Sequence, residues 1–363
     1  MKVLYVSHTP ELKGSAVSLY KLMTGLGDDG FSPVAAFAKD GPLVTRLRSE
    51  GVPAHVLKSR GFLGLGLVVE ALGLIKKEGV GLVHLNCAVP FCKYVGIAAR
   101  INRTPVVWHI REDPAGKWTR MLRPWIKRLP VSIMAVSTEI YDAFSSTGKA
   151  VRIYNGVDAS EFSPEVDGLA FRSRWGIPGD AFLYGIVGSI QPRKGTELFI
   201  KAAAMVAEHH PEAMFLVAGS GLPEHESGLR EQIKSLPALD GKVVLTGRIS
   251  DTPECMAALD LLVMPSLWEG FPRALIEAMA AGKCVVATDV GEVRHIVEDG
   301  VTGFIIPKDD LGALTEAMER CISIRAGLDA IGKKARERVV SEFSISGHIG
   351  QVKNEYSKIL AGR

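Results

Sequence analysis

The chain has 363 residues, 47% of them apolar, which is enough for two sizeable cores rather than one. Lys and Arg total 43 against 40 Asp and Glu, leaving a net charge of +3. That near-balance argues against a dedicated nucleic-acid binder, and no apolar run reaches membrane-spanning length.

Taken in chain order, Met1 to His8 reads as a first β-strand and lacks the small-residue cleavage site of a secretory signal. The first series of strands is expected at Lys2–Ser7, Ser32–Ala38, Leu82–Leu85, Pro105–His109, Ile133–Val136 and Val151–Tyr154. A second series is expected at Leu183–Val187, Met214–Ala218, Lys242–Thr246, Leu261–Met264, Cys284–Thr288 and Gly303–Ile306. Helix-length amphipathic segments separate them. Short apolar strands alternating with helices predict parallel sheets covered on both faces. Two such series predict an α/β protein of two doubly wound, Rossmann-like domains. Ser163-Pro164 and polar neighbours interrupt the pattern, so the junction is expected near Asp158–Phe171. No solenoid-period repeat and no low-complexity tract is present. The five cysteines, Cys87, Cys92, Cys255, Cys284 and Cys321, are odd in number and scattered among apolar neighbours. They read as buried free thiols in a reducing cytosol, and none joins a histidine at zinc spacing.

Ligands of doubly wound sheets bind beyond the carboxyl ends of strands, so the segments at strand exits carry the functional argument. Gly14-Ser15-Ala16 follows the first strand and opens a helix. It suits either a phosphate at a helix mouth or an ordinary N-cap. His84 and Asn86 end one strand, and His109 is expected to end another, inside Trp108-His109-Ile110-Arg111-Glu112-Asp113. A lone histidine is more often structural than catalytic, but a strand exit places it within reach of a ligand. Asn155-Gly156-Val157-Asp158 reads as a turn. After Leu183–Val187 comes Gly188-Ser189-Ile190-Gln191-Pro192-Arg193-Lys194-Gly195, where small residues admit a ligand and two adjacent cations can neutralise a diphosphate. Gly219-Ser220-Gly221 and Gly247-Arg248-Ile249 also end strands.

The most informative stretch runs from Ser266 to Gly282. Glu269 stands just before Gly270 and Pro272, and Glu277 lies eight positions on, inside a good helix-forming run. Pro272 is expected at the first helical position, with Glu277 about two turns in. The unpaired amides and positive dipole end at that mouth suit an anionic ligand, with a carboxylate on either side. A capped surface helix with two solvated glutamates is the alternative reading.

Glu269 to Glu277, with Gly-Phe-Pro inside and Glu-Ala-Met-Ala-Ala-Gly after, resembles the glutamate pair of retaining glycosyltransferases of family 4. Gly14-Ser15-Ala16, Ala135-Val136-Ser137, Ile153 to Asp158, Arg193-Lys194-Gly195, Gly247-Arg248, and Thr288-Asp289-Val290-Gly291 through Gly303 resemble the same family in the same order. The resemblance implies the GT-B fold, two Rossmann-like domains facing a cleft, with a last helix crossing back. That helix fits Phe343-Ser344 to Leu360. The expected domains are 1–160 plus 345–363 for the acceptor, and 161–344 for a nucleotide-sugar donor.

The resemblance also implies roles. His109, Glu269, Lys194 and Arg193 are implied as catalytic, with His109 beside the transferred sugar. Gly14, Ser15, Gly188, Ser189, Arg193, Lys194, Gly219, Arg248, Ile249, Glu269, Gly270, Phe271, Pro272, Arg273, Ala274 and Glu277 are implied to hold the donor. Glu277 would take the ribose hydroxyls, and Glu269 the sugar hydroxyls. Arg111, Glu112 and Asn86 are expected to line the acceptor pocket. The sequence departs from the family at Ser15, where a second glycine is usual, and at Ser189, where an arginine is usual. No Asp-X-Asp triplet occurs, so metal-independent turnover without a cofactor is expected.

Lys117 to Leu129 places Trp118, Met121, Leu122, Trp125, Ile126 and Leu129 at helical spacing among five cations. Core packing of that stripe and docking on anionic lipid both fit. Pro124 is expected to interrupt a single regular helix. The expected protein is a cytoplasmic retaining glycosyltransferase, with peripheral contact on the inner face of the cytoplasmic membrane left open. It would move a sugar from a nucleoside diphosphate sugar to a glycan, lipid-linked or small-molecule acceptor. Two alternatives stand beside it: a nucleotide-sugar epimerase on a similar scaffold, and a nucleotide-sugar-binding protein without catalysis.

Overall fold

A computed structural model describes residues 1–11, 14–27, 30–58 and 64–362. The chain divides into two units, Met1–Gly156 with Ile345–Arg363, and Val157–Ser344. The handover after Gly156 comes slightly before the expected 160. Val157 already belongs to the second unit, donating its N–H to the Phe343 carbonyl at 2.8 Å and bridging Ser344 in parallel.

In the first unit, β1 (Lys2–Ser7) is followed by α1 (Ser15–Gly27), β2 (Ser32–Phe37), α2 (Pro42–Ser49), β3 (Ala54–Val56), α3 (Leu65–Glu78) and β4 (Val80–Leu85). Then come α4 (Pro90–Ile101), β5 (Val106–Ile110), α5 (Lys117–Arg128), β6 (Ser132–Ala135), α6 (Thr138–Ser145) and β7 (Ala150–Arg152). The strands are all parallel, in the order β3-β2-β1-β4-β5-β6-β7. Because successive strands buried on both faces need no polar side, β1 reads Val3-Leu4-Tyr5-Val6 with every side chain enclosed.

The second unit repeats the logic. It runs α7 (Gly168–Arg174), β8 (Phe182–Val187), α8 (Thr196–His209), β9 (Ala213–Ala218), α9 (Pro223–Lys234) and β10 (Val243–Gly247). It continues with α10 (Thr252–Ala258), β11 (Leu261–Met264), α11 (Arg273–Ala280), β12 (Cys284–Thr288), α12 (Val293–Ile296), β13 (Phe304–Ile306), α13 (Leu311–Ser323) and α14 (Leu328–Glu342). The parallel order is β10-β9-β8-β11-β12-β13. Tyr184 stacks on Phe215 at 5.4 Å in its core, beside Phe182 and Phe199. The last helix, α15 (Ile345–Ala361), belongs to the first unit, where Val352 and Tyr356 join the core with Leu19, Leu22 and Phe31.

Each sheet has one point where the strand order reverses, between β1 and β4 and between β8 and β11. Crossovers there leave in opposite directions and open a crevice at the carboxyl ends of the strands. Both points matter for the site.

α5 departs from expectation in two ways. It runs unbroken through Pro124, which is exposed, so solvent can take the carbonyl its missing N–H leaves unpaired. Its apolar residues also divide between two faces. Leu122 and Ile126, with Leu129 just beyond, are buried, whereas Trp118, Met121 and Trp125 are 46%, 51% and 41% exposed.

Candidate active site

The reversal point of the second sheet builds the strongest site. β8 ends at Val187 and runs into Gly188 and Ser189; β11 ends at Met264 and runs into Pro265 and Ser266. The two loops close on a hollow lined by Gly188, Ser189, Lys194, Thr196, Ser266, Glu269, Pro272, Arg273 and Ala274 among others. They approach so closely that side chains are excluded in places. A Cβ on Gly195, at φ +69, would stand 2.0 Å from the Pro265 carbonyl oxygen. A Cβ on Gly291, at φ +53, would stand 2.1 Å from that of Glu269.

Within the hollow, Lys194 Nζ donates to Glu269 Oε1 at 2.5 Å, and Ser266 Oγ donates to the same oxygen at 2.8 Å. Glu269 is only 5% exposed, so its charge stands on this pair in a region of low dielectric. Ser266 is fixed in turn, its carbonyl accepting from Thr288 Oγ1 at 2.5 Å. Ser266 and Thr288 were not singled out from the sequence. Their signal was position, one just after β11 and one ending β12, beside the strand exit that carries Glu269.

α11 then begins. Pro272 has φ −77 and ψ 96, an extended conformation, so it caps the helix from outside and does not occupy the expected first helical position. Gly270, Phe271 and Pro272 use up part of the spacing from Glu269. Glu277 therefore sits just over one turn into the helix, not two. Arg273 Nη2 donates to Glu277 Oε1 at 2.6 Å, one helical turn away, and Arg273 also lines the hollow. The amides of the first turn have no intrahelical acceptor and carry the positive end of the helix dipole.

The other donor-side candidates divide around this hollow. Arg193 reaches Glu269 Oε2 at 3.9 Å but is committed to bridging its own loop and the loop after β11. It donates to the Trp268 carbonyl at 3.3 Å and to Gln191 Oε1 at 3.1 Å. Gly219 backs onto Gly188, where a Cβ would stand 1.7 Å from the Gly188 carbonyl oxygen. Phe271 is buried against Phe343 at 5.8 Å. Gly270, Glu277, Arg248 and Ile249 stand outside the lining of the hollow.

The candidates of the first unit gather at its own reversal point, beyond β4 and β5. β5 runs to Ile110, one residue past its expected end, and His109 is wholly buried inside it. The ring packs 5.3 Å from His84 and 6.2 Å from His348 of α15. Burial first, then the Arg111 charge and the neighbouring rings, hold His109 well below the ordinary imidazole range. Burial does the same to His348, to about 4. Arg111 donates from Nε to Asn86 Oδ1 at 2.8 Å and from Nη1 to Asn155 Oδ1. Asn86 Nδ2 donates to the Ser15 carbonyl at 3.2 Å, tying α1 to the same group. Asn155, read from sequence only as a turn residue, is thus part of the cluster. Glu112 accepts the backbone N–H groups of Ala88 and Arg111 at 3.1 and 3.2 Å. Burial of that carboxylate end raises its affinity for a proton, against the pull of those N–H groups. Gly14 and Ser15, at φ +50 and the start of α1, lie at the carboxyl end of β1.

No group of His, Cys, Asp and Glu among the described residues has the arrangement of a metal site. The five cysteines are buried and free. No described helix is long and apolar enough to cross a membrane.

Comparison with known proteins agrees with this geometry. Residues 12–161 match the model of Glycosyltransferase Family 4, and residues 181–323 match that of the Glycosyl transferases group 1. The chain is 24% identical to the UDP-Gal:alpha-D-GlcNAc-diphosphoundecaprenol alpha-1,3-galactosyltransferase of Escherichia coli, over all of this chain and 98% of that protein. It is 31% identical to the lipopolysaccharide core biosynthesis mannosyltransferase LpsB of Rhizobium meliloti, over 57% of this chain and 60% of that one. The crystal structure of Anabaena Alr3699/HepE in complex with UDP and glucose superposes with a TM-score of 0.87 at 26% identity, covering 99% of this chain and all of that one. The chain belongs to the family 4 glycosyltransferases of the GT-B fold.

Proposed function

We propose that this glycosyltransferase takes its sugar from a uridine diphosphate sugar and passes it to a lipid-linked glycan with retention of anomeric configuration. The observation that carries the reading is the Lys194–Glu269–Ser266 group at the β8/β11 reversal point, with the amides of α11 beside it. The diphosphate lies against Lys194, Arg193 and those amides. Glu269 and the loop after it hold the sugar hydroxyls, and Glu277, steadied by Arg273, holds the ribose. In the reaction the bond from the anomeric carbon to the diphosphate oxygen breaks, a bond to an acceptor hydroxyl oxygen forms, and that hydroxyl's proton passes to the departing diphosphate. Negative charge grows on the departing diphosphate, where fixed cations and N–H dipoles stabilise it without a metal ion. The UDP complex of HepE and the UDP-Gal specificity named for the E. coli relative support the nucleotide; the diphosphoundecaprenol in that relative's name supports the acceptor.

The test is binding followed by turnover. UDP should raise the melting temperature of the purified protein more than ADP or GDP do. Glu277→Ala should weaken UDP binding by about tenfold or more in calorimetry, the usual cost of charged hydrogen bonds to a ligand. Turnover should survive EDTA, and the product should keep the donor's anomeric configuration by NMR. Equal response to all three nucleotides, or conversion of a UDP-sugar into its epimer without acceptor, would sink the proposal.

A lipid-linked acceptor demands approach to a bilayer, and α5 supplies the surface. Trp118, Met121 and Trp125 fall at i, i+3 and i+7 on the exposed side, among Lys117, Arg120, Arg123, Lys127 and Arg128. Lys93 adds a further cation, with its Nζ over Trp125. Apolar rings that sink into the headgroup region, collared by cations, suit an anionic leaflet. Co-sedimentation with vesicles of phosphatidylglycerol at low salt should fall sharply for Trp118→Ser/Trp125→Ser. Equal sedimentation of the double variant and the parent would remove this contact.

A further inference from the structure

The exits of β11 and β12 hold a chain of hydrogen bonds that ends on Glu269. Thr288, the last residue of β12, donates from Oγ1 to the Ser266 carbonyl at 2.5 Å and to the Met264 carbonyl at 3.3 Å. Ser266 donates from Oγ to Glu269 Oε1 at 2.8 Å. Thr288 and Ser266 are both 0% exposed, so neither hydroxyl meets water and each bond is stronger than it would be in solvent. The loop that carries Ser266 is braced from the other side as well. The Leu267 N–H donates to the Arg193 carbonyl at 2.8 Å, and Gly195 packs against the Pro265 carbonyl too closely to carry a side chain. Lys194, between Arg193 and Gly195, is thus tied to the same loop.

These contacts divide the Glu269 carboxylate unequally. Oε1 accepts from both Ser266 and Lys194, which occupies its two lone pairs. Oε2 takes no hydrogen bond among the described residues and is not sealed from solvent. Arg193 Nη1, at 3.9 Å, lends it charge but is too far to donate. The terminal torsion of a glutamate is broad, so a carboxylate held at one point turns its plane easily. A lysine ammonium is a compact charge that sets no plane. The Ser266 hydroxyl supplies the second fixed point.

We infer that Ser266 is a positioning residue of the donor site: anchored by Thr288, its hydroxyl fixes the plane of the Glu269 carboxylate, so that Oε1 stays with Ser266 and Lys194 and Oε2 stands ready for a hydroxyl of the donor sugar. This rests on the reading of Glu269 as the group that holds the sugar, and adds what orients it. Lys194 keeps two of its three donors for the diphosphate. The pair therefore joins the phosphate end of the donor to its sugar end before the donor arrives, which is the form preorganisation takes here. Every residue involved belongs to the second unit.

Calorimetry on the full-length protein separates the two ends. UDP probes the nucleotide end, and UDP-galactose and UDP-glucose probe the whole donor. Ser266→Ala should weaken UDP-sugar binding by about tenfold or more, the range of a hydrogen bond to a charged group. UDP alone gives Glu269 no sugar to hold, and its affinity should change by less than about twofold, the margin within which independent sites add. Thr288→Val loosens Ser266 without removing its hydroxyl, so it should act in the same direction more weakly. Thr288→Ser, which keeps the hydroxyl, should lose less than the valine variant.

A double-mutant cycle distinguishes orientation of Glu269 from general support of the fold. In a Glu269→Ala background the hydroxyl has nothing to orient, and adding Ser266→Ala should change UDP-sugar affinity by less than about twofold. An equal loss with Glu269 present or absent overturns the inference, and so does an equal loss for UDP and the UDP-sugars. Thr288→Val supplies the same comparison if Ser266→Ala does not fold. If UDP binds and Glu269→Ala leaves UDP-sugar affinity unchanged, the reading of Glu269 fails and this inference with it. A parent protein that binds neither UDP nor either UDP-sugar places the failure earlier, in the proposed function itself.

Discussion

At the residue scale, the site depends as much on what is absent as on what is charged. Gly291 belongs to the β12–α12 loop, yet the atom that a side chain there would strike is the Glu269 carbonyl oxygen at 2.1 Å. Its φ of +53 also favours glycine. Gly291→Ala should push the Glu269 loop away from Lys194. Because hydrogen-bonded geometry is lost within a few tenths of an ångström, kcat/KM should fall about tenfold to a hundredfold, while the melting temperature drops by only a few degrees. Parallel assays of turnover and melting check this; full activity would mean that the loop yields elsewhere. The sequence had marked Glu269 and Lys194, because charged residues at strand exits are few. It could not mark the roles of Ser266, Thr288 or Asn155. Those are small polar residues whose importance lies in a partner 3, 22 or 44 positions away. Nor could it show that His109 would be enclosed, since that follows from α15, far along the chain.

At the element scale, strands were legible because each is a short apolar run bounded by polar or glycine-rich segments. β11 and β12 begin and end where the pattern places them. β3 was missed: Ala54–Val56 is three residues long and half-buried at the sheet edge, too short for periodicity to register. Helix faces were the weaker inference. One apolar stripe on α5 proved to be two, because Trp118, Met121 and Trp125 are rotated away from Leu122 and Ile126. α15 was legible as a returning helix, but not what it delivers. It brings Tyr356 to Phe31 at 5.4 Å and its hydroxyl to His84, and it brings His348 to His109. Removing only that hydroxyl, in Tyr356→Phe, leaves His84 Nδ1 buried without its partner and should cost about 1–3 kcal/mol. The loss should appear as a lower urea midpoint with an unchanged slope, since the same surface is exposed on unfolding. An unchanged midpoint would show that the hydroxyl–imidazole contact contributes nothing net.

At the scale of the whole molecule, the two units should answer acid differently. His84, His109 and His348 all belong to the first unit, all are buried, and all are held below the ordinary imidazole range mainly by that burial. In the unfolded chain each takes a proton near pH 6.5. The folded first unit refuses those protons; His348, for instance, accepts one only at about 4. Below about pH 6.5 the unfolded state therefore binds more protons, and stability falls with acidification by up to about 1.4 kcal/mol per pH unit for each histidine. For His348 the loss runs from about pH 6.5 down to its folded value near 4. Two groups in the same unit act in the opposite sense. His8 is raised by its contact with Cys87, and Glu112 is raised by burial, so each binds its proton more tightly in the folded state. Three buried rings outweigh them, and the net slope in the first unit remains positive with pH. Hydrogen exchange followed by mass spectrometry at about pH 7.5 and pH 5 should then lose protection in residues 1–156 and 345–362 before 157–344, breaking two-state behaviour. The order should reverse or vanish only if the histidine cluster is solvated, because a hydrated imidazole would titrate alike in both states and leave the first unit no more acid-sensitive than the second.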